Sequence, residues 1–178
     1  MLTVGERFPE FDLSAVLGKD DPHIDRLRST DYEGRWLVVF FWPKDFTFVC
    51  PTEIAAFGKA EPRFAALGAS VIGASIDSEY VHLAWRQHHP HLRTLPFPMV
   101  SDLKRELTGD LGILHPEEGV ALRATFIVDP SGVIRFVSVY DLDVGRSVEE
   151  VLRTLQALQS GGLTACEWQQ GEETLLAS

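Results

Sequence analysis

Cysteine and basic residues are scarce in this chain of 178 residues. Its two cysteines, Cys50 and Cys166, are too few for a disulfide scaffold or for a dedicated zinc site. Only 16 lysines and arginines face 26 aspartates and glutamates, which gives a formal net charge of −10. Because there is no basic surplus to neutralise phosphates, nucleic acid and anionic membranes are disfavoured as main partners.

Long apolar runs and targeting patterns are missing as well. The run WLVVFFW at 36–42 is too short to span a bilayer. The start, MLTVGERFPE, has neither the basic region nor the apolar region of a signal peptide. We therefore expect a cytoplasmic protein with no membrane partner, a setting in which a cysteine pair is more often redox-active than structural.

The composition that remains is that of a globular domain, with 45% hydrophobic residues. Short apolar, β-branched runs predict buried strands at 36–42 and 70–76. Helical spacing of apolar residues predicts an amphipathic helix at 51–67. A second helix is predicted at 78–89, with Ser78 as its N-cap.

The second half of the chain predicts a β-hairpin and a last helix. Residues 124–139 read as two strands joined by an Asp-Pro-Ser-Gly turn, and 147–159 as an amphipathic helix. This order of elements indicates an α/β fold with a mixed sheet. Since no sustained period follows, we predict a domain at 1–160 and a loosely held C-terminal tail at 161–178 that contains Cys166.

The stretch FFWPKDFTFVCPTE places Cys50 between a strand and a helix, with Pro51 at the first helical position. Helix N-termini favour anions, and thiolates there are stabilised, especially beside arginine. Glu53 could reach back as in a capping box, but its charge requires a cation nearby. The alternative is an inert buried thiol, which is the commoner state of a free cysteine.

Two further residues suggest a reaction at this cysteine. Thr47 offers a hydroxyl three residues before Cys50, and Pro43 could shield the sulfur from water. Such a set suits attack by a sulfur anion on a weak bond whose leaving oxygen must be stabilised.

The segment PKDFTFVCPTE resembles the active-site signature of the peroxiredoxins, P-x-x-x-T-x-x-C. Further resemblance lies in VGERFPEFDL, GASIDSEYVHLAW, PFPMVSD, RATFIVDPSGVIR and VGRSVEEVLRTLQALQ. It covers most of residues 1–160 and is closest to the typical 2-Cys group, which contains the catalytic subunit of bacterial alkyl hydroperoxide reductase. The resemblance implies a thioredoxin-like fold, with helices flanking a central mixed sheet. It also implies an antioxidant thiol peroxidase for hydrogen peroxide and organic hydroperoxides, without haem, metal or flavin.

The resemblance also implies roles for individual residues. Cys50 matches the peroxidatic cysteine, which is oxidised to sulfenic acid. Thr47 matches the residue whose hydroxyl binds the sulfur and the peroxide, and Pro43 matches the shielding proline. Arg123, at the start of RATFIVD, matches the arginine that stabilises the thiolate, which would supply the required cation.

Supporting roles follow in the same way. Glu53 resembles the glutamate that orients the arginine. Trp85 resembles an aromatic residue that lies on a helix near the active-site pocket in the family. Packing in the hydrophobic core is the simpler interpretation of this tryptophan.

Cys166 resembles the resolving cysteine, which condenses with the sulfenic acid to form a disulfide. In the typical 2-Cys group this disulfide joins two chains, so the resemblance implies a homodimer and a possible decamer. A flavoprotein reductase, a dithiol adaptor or thioredoxin are all compatible electron donors. The local sequence CEWQQG departs from the family pattern. In the family, a Gly-Gly-Leu-Gly insertion and a Tyr-Phe ending accompany easy over-oxidation. This chain has neither, so the resemblance implies resistance to inactivation by excess peroxide.

Three other functions agree with parts of the sequence. An oligomeric chaperone or redox-signalling scaffold would not need the set of catalytic residue types found around Cys50. A thiol–disulfide oxidoreductase usually has a C-x-x-C pair, but position 53 is glutamate. Metal binding could use the histidines of HLAWRQHHPH, although no pair stands at i, i+4 and a proline interrupts them. These histidines are His82, His88, His89 and His91.

Overall fold

The computed structural model describes residues 1–175. The chain forms two compact units, Met1–Arg146 and a second unit that starts at Ser147. Within the described residues, no helix has the length and apolar character needed to span a membrane. The predicted boundary between 160 and 161 stays a prediction, and the last three residues of the predicted tail lie outside the described part.

The first unit contains a seven-stranded mixed sheet. Its strands are β1 Asp12–Leu17, β2 His23–Arg28, β3 Trp36–Phe41, β4 Ala69–Ser75, β5 Met99–Ser101, β6 Arg123–Val128 and β7 Ile134–Tyr140. Their order across the sheet is β2-β1-β5-β4-β3-β6-β7. The strand β3 pairs in parallel with β4 and antiparallel with β6, so the predicted mixed sheet is confirmed.

Three α-helices belong to the same unit, namely α1 Cys50–Ala66, α2 Glu79–His88 and α3 Glu106–Leu111, and a short 3-10 helix spans Ser29–Tyr32. The helix α1 packs on β4, and α2 packs on β1 and β5. Every residue of β6 is buried, as are the last five of β3. Such near-continuous apolar strands are typical of a sheet with both faces covered.

Local signals fix the ends of the predicted elements. The Ser78 hydroxyl accepts a hydrogen bond from the Val81 N–H at 3.4 Å and caps α2 as predicted. The hairpin β6–β7 turns at residues 129–132, where Gly132 has a φ of +82°. That backbone conformation favours glycine, because a side chain there would meet its own carbonyl oxygen.

The second unit begins with α4, Val148–Gln159, whose N-cap Ser147 accepts from the Glu150 N–H at 3.3 Å. The following residues are more ordered than the lack of periodicity predicted. Leu163 and Leu175 form an isolated β-bridge, and Trp168 is buried. The segment therefore has a defined path as far as Leu175.

Candidate active site

The helix α1 begins at Cys50 itself, one residue earlier than predicted. Val49 is the N-cap residue, and its carbonyl accepts from the N–H groups of Thr52 and Glu53 at 3.0 and 3.4 Å. Pro51 is thus the second helical residue rather than the first. The Cys50 side chain is only 1% exposed, so the sulfur lies inside the protein at the positive end of the helix dipole.

Arg123, the first residue of β6, supplies the cation that the sequence required. Its Nη1 donates to the Cys50 Sγ at 3.3 Å and to Glu53 Oε2 at 2.6 Å. Its Nε donates to the Leu142 carbonyl at 2.6 Å, which fixes the guanidinium plane. Three residues predicted for the site are therefore in direct contact, although 70 positions separate Glu53 from Arg123.

The Glu53 carboxylate binds arginine instead of closing a capping box. Besides Arg123, it accepts from the backbone N–H of Arg146 at 3.0 Å, from its Nε at 2.8 Å and from its Nη2 at 3.1 Å. The predicted capping box is therefore wrong, because the buried guanidinium groups are stronger partners than a backbone N–H. The predicted contact between Glu53 and the arginine is present.

Arg146 is a site residue that sequence reasoning missed. Its Nη1 donates to the Ala124 carbonyl at 2.7 Å, and its guanidinium lies over the rings of Phe40 and Phe57 at 5.3 and 5.9 Å. Burial lowers the pKa of Arg146, while its hydrogen bonds to Glu53 act in the opposite direction. An arginine just before a helix reads as a surface residue, and only the fold shows that this one is enclosed.

The charges of the cluster formed by Arg123, Arg146, Glu53 and Cys50 sum to zero only when Cys50 is a thiolate. Arg123, Arg146 and Glu53 together carry a net charge of +1, and a Cys50 thiolate brings the sum to zero. Their side chains are at most 4% exposed. Since an uncompensated charge inside a protein is costly, the cluster favours the thiolate form of Cys50 over the thiol.

The loop before Cys50 contains Pro43, which is buried, and Thr47, which is partly exposed. The Thr47 hydroxyl donates to the Lys44 carbonyl at 3.0 Å, not to Cys50. Its oxygen retains acceptor capacity. Trp85 is 2% exposed and packs against Phe46 of the loop with ring centroids 5.8 Å apart, which fits core packing and support of the loop.

A buried polar network anchors the same loop. The Asp45 carboxylate accepts from the Trp42 indole N–H at 2.7 Å and lies 2.7 Å from His82 Nδ1. His82 Nε2 lies 3.1 Å from the Val100 carbonyl. Burial raises the pKa of Asp45, whereas the hydrogen bond with His82 lowers it. His82 is thus engaged inside the fold, and residues 1–175 contain no cluster of three or more potential metal-binding His, Cys, Asp or Glu side chains.

Similarity to known proteins agrees with this geometry. The profile of the AhpC/TSA family matches residues 4–137. Alkyl hydroperoxide reductase C of Mycolicibacterium smegmatis is 56% identical over 186 residues, covering 99% of this chain and 95% of that protein. The chain belongs to the AhpC/TSA family.

Solved structures of peroxiredoxins superpose on most of the chain. Mycobacterium tuberculosis AhpC has a TM-score of 0.87 at 51% identity and covers 95% of this chain and 99% of its own. The reduced 2-Cys peroxiredoxin of Plasmodium vivax has a TM-score of 0.91 at 32% identity, covering 96% of this chain and 91% of its own. The predicted thioredoxin-like fold and the predicted thiol-dependent peroxidase, an antioxidant oxidoreductase, are confirmed. The chaperone or scaffold alternative is not favoured.

The second cysteine of this peroxiredoxin lies in the second unit. Cys166 is exposed, with a free thiol, and occupies a turn closed by the hydrogen bond from the Trp168 N–H to the Ala165 carbonyl at 3.2 Å. The adjacent Glu167 has a φ of +60°, a strained value for a residue with a side chain. The turn presents the sulfur to solvent, and its resolving role stays a prediction.

Proposed function

We propose that this peroxiredoxin reduces hydrogen peroxide and organic hydroperoxides at Cys50 and completes the reaction through a disulfide with Cys166 of a second copy. The observation that carries the proposal is the 3.3 Å contact between Cys50 Sγ and Arg123 Nη1 inside a cluster that is neutral only with a thiolate. The similarity to alkyl hydroperoxide reductase C proteins supports organic hydroperoxides as substrates.

The first chemical step is attack by the Cys50 thiolate on one oxygen of the peroxide. The S–O bond forms as the O–O bond breaks, and the leaving oxygen takes a proton to become water or an alcohol. The sulfur is oxidised to sulfenic acid. Arg123 already touches the sulfur, so its guanidinium is placed to stabilise the negative charge that moves to the departing oxygen.

Thr47 and Pro43 have complementary roles in this proposal. The Thr47 oxygen can accept a hydrogen bond from the peroxide OH while the Thr47 hydroxyl continues to donate to the Lys44 carbonyl. Pro43 is buried at the base of the loop and limits the access of water to the sulfur. Glu53 orients Arg123, and Trp85 supports the loop through Phe46.

The second step needs an accessible thiol, and Cys166 is exposed. Its attack on the sulfenic acid forms the Cys50–Cys166 disulfide and releases water. A reductant is then required to regenerate both thiols. A flavoprotein reductase, a dithiol adaptor and thioredoxin each supply the thiol–disulfide exchange that this step needs.

The sheet edge and one surface support assembly into a homodimer. Strand β7 lies at the end of the sheet and pairs with β6. On its other edge Ile134 exchanges backbone hydrogen bonds with Gly5 and Glu6, and no other named strand of the described residues pairs there, so we infer that the same strand of a second copy pairs with the edge beyond Ile134.

Exposed aromatic and aliphatic side chains lie on three segments next to the active site. Asp77 connects these segments, because its carboxylate accepts from the Asp45 N–H and its carbonyl accepts from the Ser101 hydroxyl. The exposed side chains are Phe46, Phe48, Tyr80 and Leu103, exposed by 54 to 95%. An apolar surface of this kind fits further association of dimers into a decamer.

Electrophoresis without reductant tests the proposal. Peroxide should convert the wild-type chain to a disulfide-linked dimer that dithiothreitol reverses. Cys50→Ser and Cys166→Ser should both lack this band, and only Cys50→Ser should also lack peroxide consumption in a single turnover. Full peroxidase activity in Cys50→Ser would overturn the assignment, and a persistent dimer band in Cys166→Ser would overturn the resolving role. Cell fractionation tests the predicted cytoplasmic location.

A further inference from the structure

Arg153 is the cation closest in sequence and structure to Cys166 within the second unit. It is the only lysine or arginine between 147 and 175, a stretch that contains five glutamates. Arg153 lines a shallow pocket together with Cys166, Glu150, Glu167 and Gln169. Within residues 147–175, a thiolate at Cys166 therefore forms among acidic residues, with Arg153 as the one lysine or arginine.

Hydrogen bonds fix the position of this guanidinium. Arg153 Nε and Nη2 donate to the two oxygens of Glu150 at 2.6 and 2.7 Å, a bidentate ion pair along α4. Its Nη1 donates to the Trp168 carbonyl at 3.3 Å. Arg153 thus ties the helix to the end of the turn that contains Cys166.

The turn is also held from its other side. The Trp168 indole is 4% exposed, and its N–H donates to the Glu172 carbonyl at 3.1 Å. Trp168, two residues after Cys166, is therefore anchored both at its ring and at its carbonyl, which holds the turn on the side of Arg153. The charges of Cys166 and Glu167 add to the main effect of Glu150 in raising the pKa of Arg153, which agrees with this proximity.

We propose that Arg153 is a positioning residue for the resolving thiol, holding the Cys166 turn on α4 and placing positive charge beside the sulfur. This proposal rests on the resolving role of Cys166 in the proposed function. The step it assists is attack of the Cys166 thiolate on the sulfenic sulfur of Cys50. The S–S bond forms, the S–O bond breaks, and the departing hydroxide is protonated to water. Arg153 favours the anion that makes the attack, although Glu150 and Glu167 oppose it.

Alkylation of Cys166 tests the assignment independently of the peroxidase cycle. In a Cys50→Ser background the chain has a single thiol, whose reaction with iodoacetamide is followed by mass spectrometry across pH. We expect Arg153→Gln to slow alkylation at pH 7.5 by about fivefold and to move the pH–rate profile to higher pH, because a cation near the sulfur is lost. Arg153→Lys keeps the charge but not the bidentate pair with Glu150, so its profile should lie between those of the parent and of Arg153→Gln.

Two further variants separate electrostatics from simple structural support. Glu150→Gln removes a negative charge and the bidentate partner of Arg153, so it should leave alkylation at least as fast as in the Cys50→Ser parent. Purely structural support by the Arg153–Glu150 pair predicts the opposite, a slower reaction. Arg26→Gln, which removes one of the two exposed arginine partners of Asp12, is the matched control and should change nothing. An unchanged rate and profile in Arg153→Gln would overturn the proposal.

Single-turnover kinetics connect the assignment to the cycle. In the chain with both cysteines, Arg153→Gln should slow disulfide formation by about fivefold while leaving the preceding oxidation of Cys50 unchanged. If alkylation slows but disulfide formation does not, Arg153 does not assist resolution and the proposal is overturned, whereas loss of the disulfide in Cys166→Ser would still support the resolving role. If both remain at the wild-type rate, Arg153 has no such role.

Discussion

The two cysteines of this peroxiredoxin lie in opposite kinds of environment. Cys50 is buried at a helix N-terminus, with two arginines and one glutamate enclosed beside it. Cys166 is exposed on a turn, with Arg153 as its cation. The comparison shows two ways to support a thiolate. A buried cluster can be arranged so that only the anion balances it, whereas an exposed thiol depends on a nearby charge that solvent screens.

Removing Arg123 should abolish most of the difference in thiolate stabilisation between Cys50 and Cys166. Arg123→Met takes away the guanidinium that contacts Cys50 and leaves the cluster with one excess negative charge when the thiolate forms. We expect the rate of peroxide reduction to fall by roughly 100- to 1000-fold, as for loss of a buried donor to developing charge. Stopped-flow measurement of the first oxidation step checks this, with Arg26→Met as a surface control. A loss below tenfold in the folded variant would contradict the role of Arg123.

Removing Glu53 should disturb the balance of the buried cluster in the other direction. Glu53→Gln leaves Arg123 and Arg146 without their shared carboxylate, so two enclosed cations face one thiolate. Breaking a buried ion pair on one side is expected to lower the free energy of unfolding by about 3 kcal/mol. Urea denaturation measures the effect, and Glu61→Gln on the same helix is the control, with an expected change below about 0.5 kcal/mol. Equal effects of the two substitutions would count against a buried charge cluster.

Thr47 tests the hydroxyl that stands three residues before Cys50. Thr47→Val should slow the oxidation of Cys50 by about tenfold, whereas Thr47→Ser should stay within about threefold of the wild type, because the hydroxyl is kept. Thr52→Val is the matched control, since the Thr52 hydroxyl also donates to a backbone carbonyl, that of Val49 at 2.6 Å. If both valine variants lose activity equally, the Thr47 hydroxyl supports the loop and not the peroxide.

The smallest expected effect concerns the exposed environment of Cys166. The Arg153 hydrogen bonds lower the pKa of Glu150 from its usual 4.5 in the folded protein. The ion pair therefore stabilises the fold above about pH 4.5, and this contribution is lost as pH falls through the folded pKa of Glu150. Because both side chains are partly exposed, we expect Glu150→Gln to cost only about 0.3 kcal/mol at pH 7. Urea titrations at pH 7 and pH 3 should show the difference shrinking in acid, and a difference that grew in acid would exclude this origin.

Part of the fold could be predicted because its signals are local. The apolar run of β3, the apolar centre of β4 and the turn between β6 and β7 can be recognised without knowledge of the rest of the chain. The elements β1, β2, β5 and α3 were not predicted. The edge strand β2, His23–Arg28, has only two apolar residues, Ile24 and Leu27, three positions apart among polar ones, and β5 has only three residues. Such short or mixed segments become strands through pairing with neighbours distant in sequence.

The site shows the same division. The helix N-terminus, the cysteine and the need for a cation follow from a stretch of 14 residues. The identity of that cation came from a resemblance, and the second arginine was missed. Arg146 lies 93 positions from Glu53, and nothing in its neighbours marks it as buried. Charge balance across a folded cluster cannot be read from local sequence, because it depends on which side chains the sheet brings together.

The buried charge cluster also bears on how readily the enzyme is reset. A disulfide at Cys50 removes the negative charge from the cluster and leaves Arg123, Glu53 and Arg146 with an enclosed net charge of +1. Reduction restores the thiolate and relieves that imbalance. Stabilising the reduced form raises the reduction potential of the couple, so the disulfide becomes the better electron acceptor. The arginines that prepare Cys50 for peroxide thereby also make the oxidised enzyme easier for its electron donor to reduce.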